Sequence, residues 1–117
     1  MVYYSVSYIV NLTEEATDFI ESIVDLKLKA KTFRTLDLLQ EFGPYLSMPH
    51  SKNVQNGEGL NELRTQQSNN IVRLFYFFLK DNIYIVTSGY IKKDQKLKKG
   101  EIDKAINIMK KIKEMCK

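Results

Sequence analysis

Arg64 closes the apolar run Leu60 to Arg64, Arg73 lies inside the run Ile71 to Phe78, and five lysines follow downstream: Lys92, Lys93, Lys96, Lys98 and Lys99. A guanidinium is planar, keeps its proton and forks onto phosphate oxygens, whereas an ammonium is a compact charge whose protonation answers to its neighbours. These residue types suit phosphate chemistry. Metal-free chemistry at a phosphate needs a base, cationic donors where charge builds on the phosphate, and an acid for the departing oxygen. Arg64 and Arg73 fit the donor role. Lys92, Lys93 and Lys96, crowded beside two arginines, disfavour one another's charge, so one can act as base and another as donor or acid, with the assignment open.

Each residue also has a plainer role. Arg73 shares a strand face with Phe75 and Phe77, so its aliphatic stem can close that face while its head group pairs with Glu62; Arg64 has the same alternative. His50 is a candidate acid-base group by residue type, yet a lone loop histidine is more often an exposed polar residue. Tyr90 alternates onto the side of Tyr84, Val86 and Ser88, where it either stacks on a base or covers the core. Cys116 is expected to pack at the last helical turn. It is the single cysteine, and with one histidine it cannot supply a zinc site of the common kinds, so any catalysis is expected to be metal-free and without a cofactor.

A chain of 117 residues, 44% hydrophobic and 27% charged, suits one globular domain over 1–117. No apolar run reaches the roughly 18 residues that span a bilayer, and the first ten residues carry no basic leader, so a cytoplasmic protein without a membrane partner is expected. The net charge of +4 is unevenly spread: residues 92–117 hold 10 Lys against 4 Asp/Glu, and the first 91 residues are net acidic. The C-terminal quarter is the part that seeks a polyanion, unless its lysines merely solvate a helix.

Certain elements must position these groups. Val2 to Val10 alternates with period two, which predicts a first strand over 2–9. Asn11 with Glu14 reads as a capping box for a helix bearing Ala16, Phe19, Ile20, Ile23 and Val24 on one face. Phe33, Leu36, Leu39 and Phe42 make a second helical stripe that stops at Gly43-Pro44, giving a helical hairpin. Pro44 to Gly59 holds both prolines and reads as a loop of little regular structure. Leu60 to Thr65, Ile71 to Leu79 and Ile83 to Tyr90 then predict an antiparallel meander. From Lys99 onward, Ile102, Ala105, Ile106, Met109, Ile112 and Cys116 form the apolar face of a closing helix.

Several of these segments together resemble a known family. They are Leu39 to Gly43 with Pro49 and Lys52, Gly59-Leu60-Asn61-Glu62-Leu63-Arg64, Val72-Arg73-Leu74-Phe75-Tyr76, and Lys92-Lys93-Asp94-Gln95-Lys96 with Glu101-Ile102 and Ala105. On these the chain resembles the RelE/ParE toxin superfamily, most closely the phage-derived, HigB-type toxins of toxin-antitoxin pairs, from about Glu14 to Ala105. It departs at Leu97-Lys98, where that pattern usually has Thr-Pro, and at Asn61, where an aromatic or aliphatic residue is common. The resemblance implies an α+β, RelE-like fold of order β-α-α-β-β-β-α with a mostly antiparallel sheet, an N-terminal helical hairpin and a C-terminal helix. It implies an endoribonuclease that cuts mRNA in the ribosomal decoding site and inhibits translation, with ribosome and mRNA as partners and a small cognate antitoxin from an adjacent gene. Arg64, Arg73, Lys92 and Lys93 would carry the chemistry, and Lys52, Lys96, Lys98, Lys99 and Tyr90 would contact RNA. Two alternatives stay open: a ParE-like inhibitor of DNA gyrase that cuts nothing, and a non-catalytic RNA-binding or phage module.

Overall fold

A computed structural model describes residues 7–92 and 98–117. Five strands, β1 (Ile9–Leu12), β2 (Ser51–Asn53), β3 (Asn61–Gln67), β4 (Asn70–Lys80) and β5 (Ile83–Lys92), form one sheet in the order β1-β5-β4-β3-β2. All neighbours are antiparallel except β1, which runs parallel to β5. Three α-helices, α1 (Glu14–Glu21), α2 (Leu26–Phe42) and α3 (Lys99–Met115), complete an α+β architecture. Among the described residues, no helix is long and apolar enough to cross a membrane.

The sheet separates two apolar clusters. On one face, Ala16, Ile20, Leu28 and Leu39 of α1 and α2 pack on Leu63, Leu74 and Val86. On the other, Ala105 and Met109 of α3 pack on Phe75, Phe77, Ile85 and Tyr90. β4 is the central strand and alternates between the two, so its stretch from Ile71 to Phe77 is buried throughout, as a strand covered on both faces must be. Gly89 marks how closely α1 approaches. A Cβ there would stand 2.8 Å from the Arg73 carbonyl oxygen and 2.9 Å from a ring carbon of Phe19. Gly89→Ala is expected to cost about 1–3 kcal/mol by overpacking, which urea unfolding would measure directly.

Several element boundaries differ from the sequence expectation. The first strand lies at Ile9–Leu12, whereas 2–6 of the expected 2–9 stretch fall outside the described residues. Asn11 sits within that strand, and the helix cap is Thr13, whose hydroxyl accepts from the Ala16 N–H at 3.0 Å and donates to the Thr87 carbonyl at 2.6 Å. One side chain thus starts α1 and ties it to β5, which Asn11 cannot do from inside a strand. α1 ends at Glu21, leaving Val24 in the connection and 93% exposed.

The second helix is longer than its Phe33–Phe42 stripe and begins at an Asp25 cap. Its buried face is Leu28, Thr32, Thr35, Leu36 and Leu39, with Phe33 and Phe42 turned outward. The threonines tolerate burial because Thr32 and Thr35 donate to the carbonyls of Leu28 and Lys31, one turn back, at 2.8 and 2.9 Å. The expected loop after Pro44 contains a 3-10 turn, Gly43–Tyr45, and the added strand β2, so the order is β-α-α-β-β-β-β-α. β2 is anchored by a hydrogen bond between the buried hydroxyls of Ser51 and Tyr76. Cys116 does not pack: it is the exposed C-cap of α3.

Candidate nucleic-acid interface

The face of the sheet under α3 carries the polar groups, and register brings them together. Arg64 lies directly opposite Arg73 across β3 and β4, and Arg73 lies opposite Tyr90 across β4 and β5. Glu62, two residues before Arg64, therefore points to the same face. Its carboxylate oxygen Oε1 takes both arginines, Arg73 through Nη1 and Arg64 through Nε at 3.4 Å. Two guanidinium groups that would repel one another across a strand pair are thus held by one carboxylate. Glu62 and Arg73 have side chains only 1% exposed, whereas that of Arg64 is 17% exposed. Of the two arginines proposed for phosphate, Arg64 is the one that reaches solvent.

Tyr90 reaches this face through a β-bulge. Phe75 pairs with Ser88 but Tyr76 pairs with Val86, so Thr87 is an extra residue on β5. An extra residue reverses the alternation beyond it. Tyr84 and Val86 consequently face α1 and α2, while Tyr90 faces α3, not the Tyr84 side that uninterrupted alternation predicts. Thr87 stays buried, its hydroxyl donating to the Phe75 carbonyl at 3.3 Å.

The Tyr90 ring stacks on Phe75 with centroids 6.1 Å apart, its hydroxyl accepts from the Lys98 N–H at 3.0 Å, and the Lys98 ammonium stands 5.9 Å from the ring centroid. At 7% exposure it covers the core and clamps the start of α3. Burial pushes the Tyr90 phenol above its ordinary 10.0, opposed by the Lys98 N–H and the charge of Arg73. Burial likewise raises Tyr76, against its bond to Ser51, and Tyr84, with Tyr76 and Tyr8 adding to the rise. In the unfolded chain these phenols ionise around 10.0, while the folded chain still holds their protons, so stability is intact below that pH and falls as pH rises through it. Melting temperatures between about pH 8 and 11 are expected to decline from about pH 10. A flat profile would contradict this.

The other expected cations spread around this cluster. Lys52 lies opposite Glu62 on β2 and is exposed; Lys92 ends β5, two residues beyond Tyr90; Lys98 and Lys99 open α3 and are exposed. Lys93 and Lys96 lie outside the described residues. Farther along α3, Lys104 pairs with Glu15 of α1 and Lys110 with Glu58 at 3.5 Å, so part of the basic tail fastens the helix to the body. The hydrogen bond to Glu15 raises the Lys104 pKa. Among the described residues, no group of three or more His, Cys, Asp and Glu comes together to hold a metal ion.

Arg64 also borders a cleft of about 480 Å³ that runs along the β3 edge. Its walls are Lys31, Arg34, Thr35 and Leu38 from one side of α2, Pro49 and His50 from the connection before β2, and Arg64, Thr65 and Gln66 from β3. His50 is exposed at the rim, and its carbonyl accepts from the Arg64 N–H at 2.8 Å. Sequence reasoning did not single out Lys31 or Arg34. Their spacing of three places them on one helix face, but nothing in the local sequence says that this face meets β3.

A family model described as "Phage derived protein Gp49-like (DUF891)" matches residues 19–110. The chain matches no curated protein.

Proposed function

The chain belongs to the Gp49-like family of phage-derived proteins, a toxin-like family related to RelE, and from that premise we propose that it is the toxin of a HigB-type toxin-antitoxin pair and cuts mRNA on the ribosome. The observation that supports this reading most is the Arg73–Glu62–Arg64 chain on the sheet face under α3, with Arg64 partly open beside exposed lysines. In the proposed reaction the 2′-oxygen of one nucleotide attacks its 3′-phosphate, the bond from phosphorus to the next 5′-oxygen breaks, and a 2′,3′-cyclic phosphate and a 5′-hydroxyl result. A base takes the 2′-hydroxyl proton and an acid returns one to the 5′-oxygen.

Arg64 neutralises the charge that grows on the non-bridging oxygens. Arg73, nearly inaccessible, acts as a positioning residue: it fixes Glu62, and Glu62 orients the Arg64 fork. Lys52 and Lys92 supply the adjoining positive charge, and the proton carriers are drawn from the lysines of the 92–99 segment. His50, whose carbonyl holds the Arg64 backbone, is the alternative acid-base group. Tyr90, Lys98 and Lys99 shape the entrance at the start of α3, with the two lysines positioned to meet RNA phosphates.

The toxin reading carries a partner, a small antitoxin from a neighbouring gene, whose acidic or amphipathic segment would occupy the cationic face and displace RNA. The test is primer extension on cellular mRNA after brief expression, alone and with the adjacent gene. Discrete new 5′ ends that vanish on co-expression are expected. Growth arrest with intact mRNA and altered plasmid supercoiling would replace the nuclease with a gyrase inhibitor.

A further inference from the structure

We infer that the cleft between α2 and β3 is a second phosphate subsite, which holds the phosphodiester of single-stranded RNA next to the one that Arg64 contacts; this rests on the nuclease reading and extends it. β2 covers β3 only from Asn61 to Leu63, so the strand beyond is a sheet edge, and the cleft lies along that edge. Lys31 and Arg34 line it from α2, Arg64, Thr65 and Gln66 line it from β3, and none of the described residues that line it is Asp or Glu. The Lys31 ammonium and the Arg34 guanidinium, with no carboxylate in the walls, make a positive recess for phosphate that Arg64 borders at the strand.

The floor is rigid. The Thr65 hydroxyl donates to that of Thr35 at 2.9 Å, and Thr35 donates onward to the Lys31 carbonyl, so helix and strand are fixed to one another beneath the cations. The Lys31 ammonium lies 3.4 Å from the Gln66 carbonyl oxygen, which holds it at the mouth. Leu38, Pro49 and Ile71 add apolar wall against which a ribose or base can lie. The volume is within the range of roughly 300–1,000 Å³ that suits a small polar ligand such as one nucleotide. Because Arg64 borders both this cleft and the Glu62–Arg73 pair, one strand can pass from one to the other without leaving positive surface.

The probe is a fluorescent tetranucleotide, 2′-O-methylated throughout so that it cannot be cut, titrated by anisotropy across a salt series. Lys31→Gln with Arg34→Gln is compared with Lys80→Gln plus Lys111→Gln, which removes equal charge from exposed sites on β4 and α3. The cleft variant is expected to bind about tenfold more weakly than that control, with a salt slope flatter by about 1.4, about 0.7 for each cation that neutralises a phosphate. A methylphosphonate version of the probe should lose the difference. Matching melting temperatures check that both variants are folded, and Arg34→Glu alone gives a second reading of the same site. Equal affinity and slope in cleft and control variants overturn the subsite, whatever the wild type does to mRNA. Cleft-dependent binding by a wild type that cuts no mRNA on ribosomes instead upholds the subsite and removes the nuclease.

Discussion

Arg73→Ala is expected to lower the stability of the fold by about 3 kcal/mol, the lower end of the roughly 3–5 kcal/mol cost of removing one partner from a buried ion pair. The lower end applies because Glu62 keeps Arg64, whose Nε lies 3.4 Å from its carboxylate. For a domain of this size the melting temperature should fall by about 10–15 °C. On sequence alone Arg73 reads either as a phosphate donor or as a strand-face residue paired with Glu62. The difference lies in depth: at 1% exposure, wedged between Arg64 and Tyr90 in register, Arg73 is closed in by protein. Pairing Arg73→Met with Glu62→Leu is expected to recover most of the stability, since apolar replacements of a buried pair remove the desolvation cost along with the attraction. Urea unfolding of the singles and the double gives the coupling. A single variant that melts within about 2 °C of wild type would mean that the pair contributes little.

Arg64→Gln should show the opposite division. Its side chain is 17% exposed and the Glu62–Arg73 pair survives its loss, so the fold should change by only about 1 kcal/mol. In the proposed reaction, however, it loses a charged donor at the phosphate, a change worth about 10²–10³-fold in the chemical step. Single-turnover cleavage on programmed ribosomes measures that step apart from binding. Arg64→Lys keeps the charge but loses the fork and should fall between wild type and Gln. Cleavage by the Gln variant within about threefold of wild type would dismiss Arg64 as the phosphate contact.

What the sequence makes legible follows from the range over which each signal acts. The three long strands and the closing helix announce themselves through local periodicity, and Arg64, Arg73 and Tyr90 fall on adjacent strands as their positions imply. β2 is only three residues long, too short for any period, and it is set by its pairing with Asn61–Leu63 and by the bond of Ser51 to Tyr76, 25 positions away. The buried face of α2 is hard to see because Thr32 and Thr35 score as polar, while their hydroxyls are satisfied by the preceding turn. The cleft is hidden for a related reason: Lys31 and Arg64 are far apart in the chain, and their approach depends on a helix-to-strand contact that no local pattern encodes.

The added residue at Thr87 has a consequence for how relatives of this chain should be compared. Downstream of it, odd and even positions have exchanged sides, so the orientation of Tyr90 and Lys92 depends on a count, not on their own identities. A single-codon deletion there would leave charge and every proposed site residue unchanged on paper. It would nevertheless turn the tyrosine toward α1 and the lysine away from the arginines. An alignment of this chain that slides by one residue between the arginine strand and Lys92 would therefore pair residues that lie on opposite sides of the sheet.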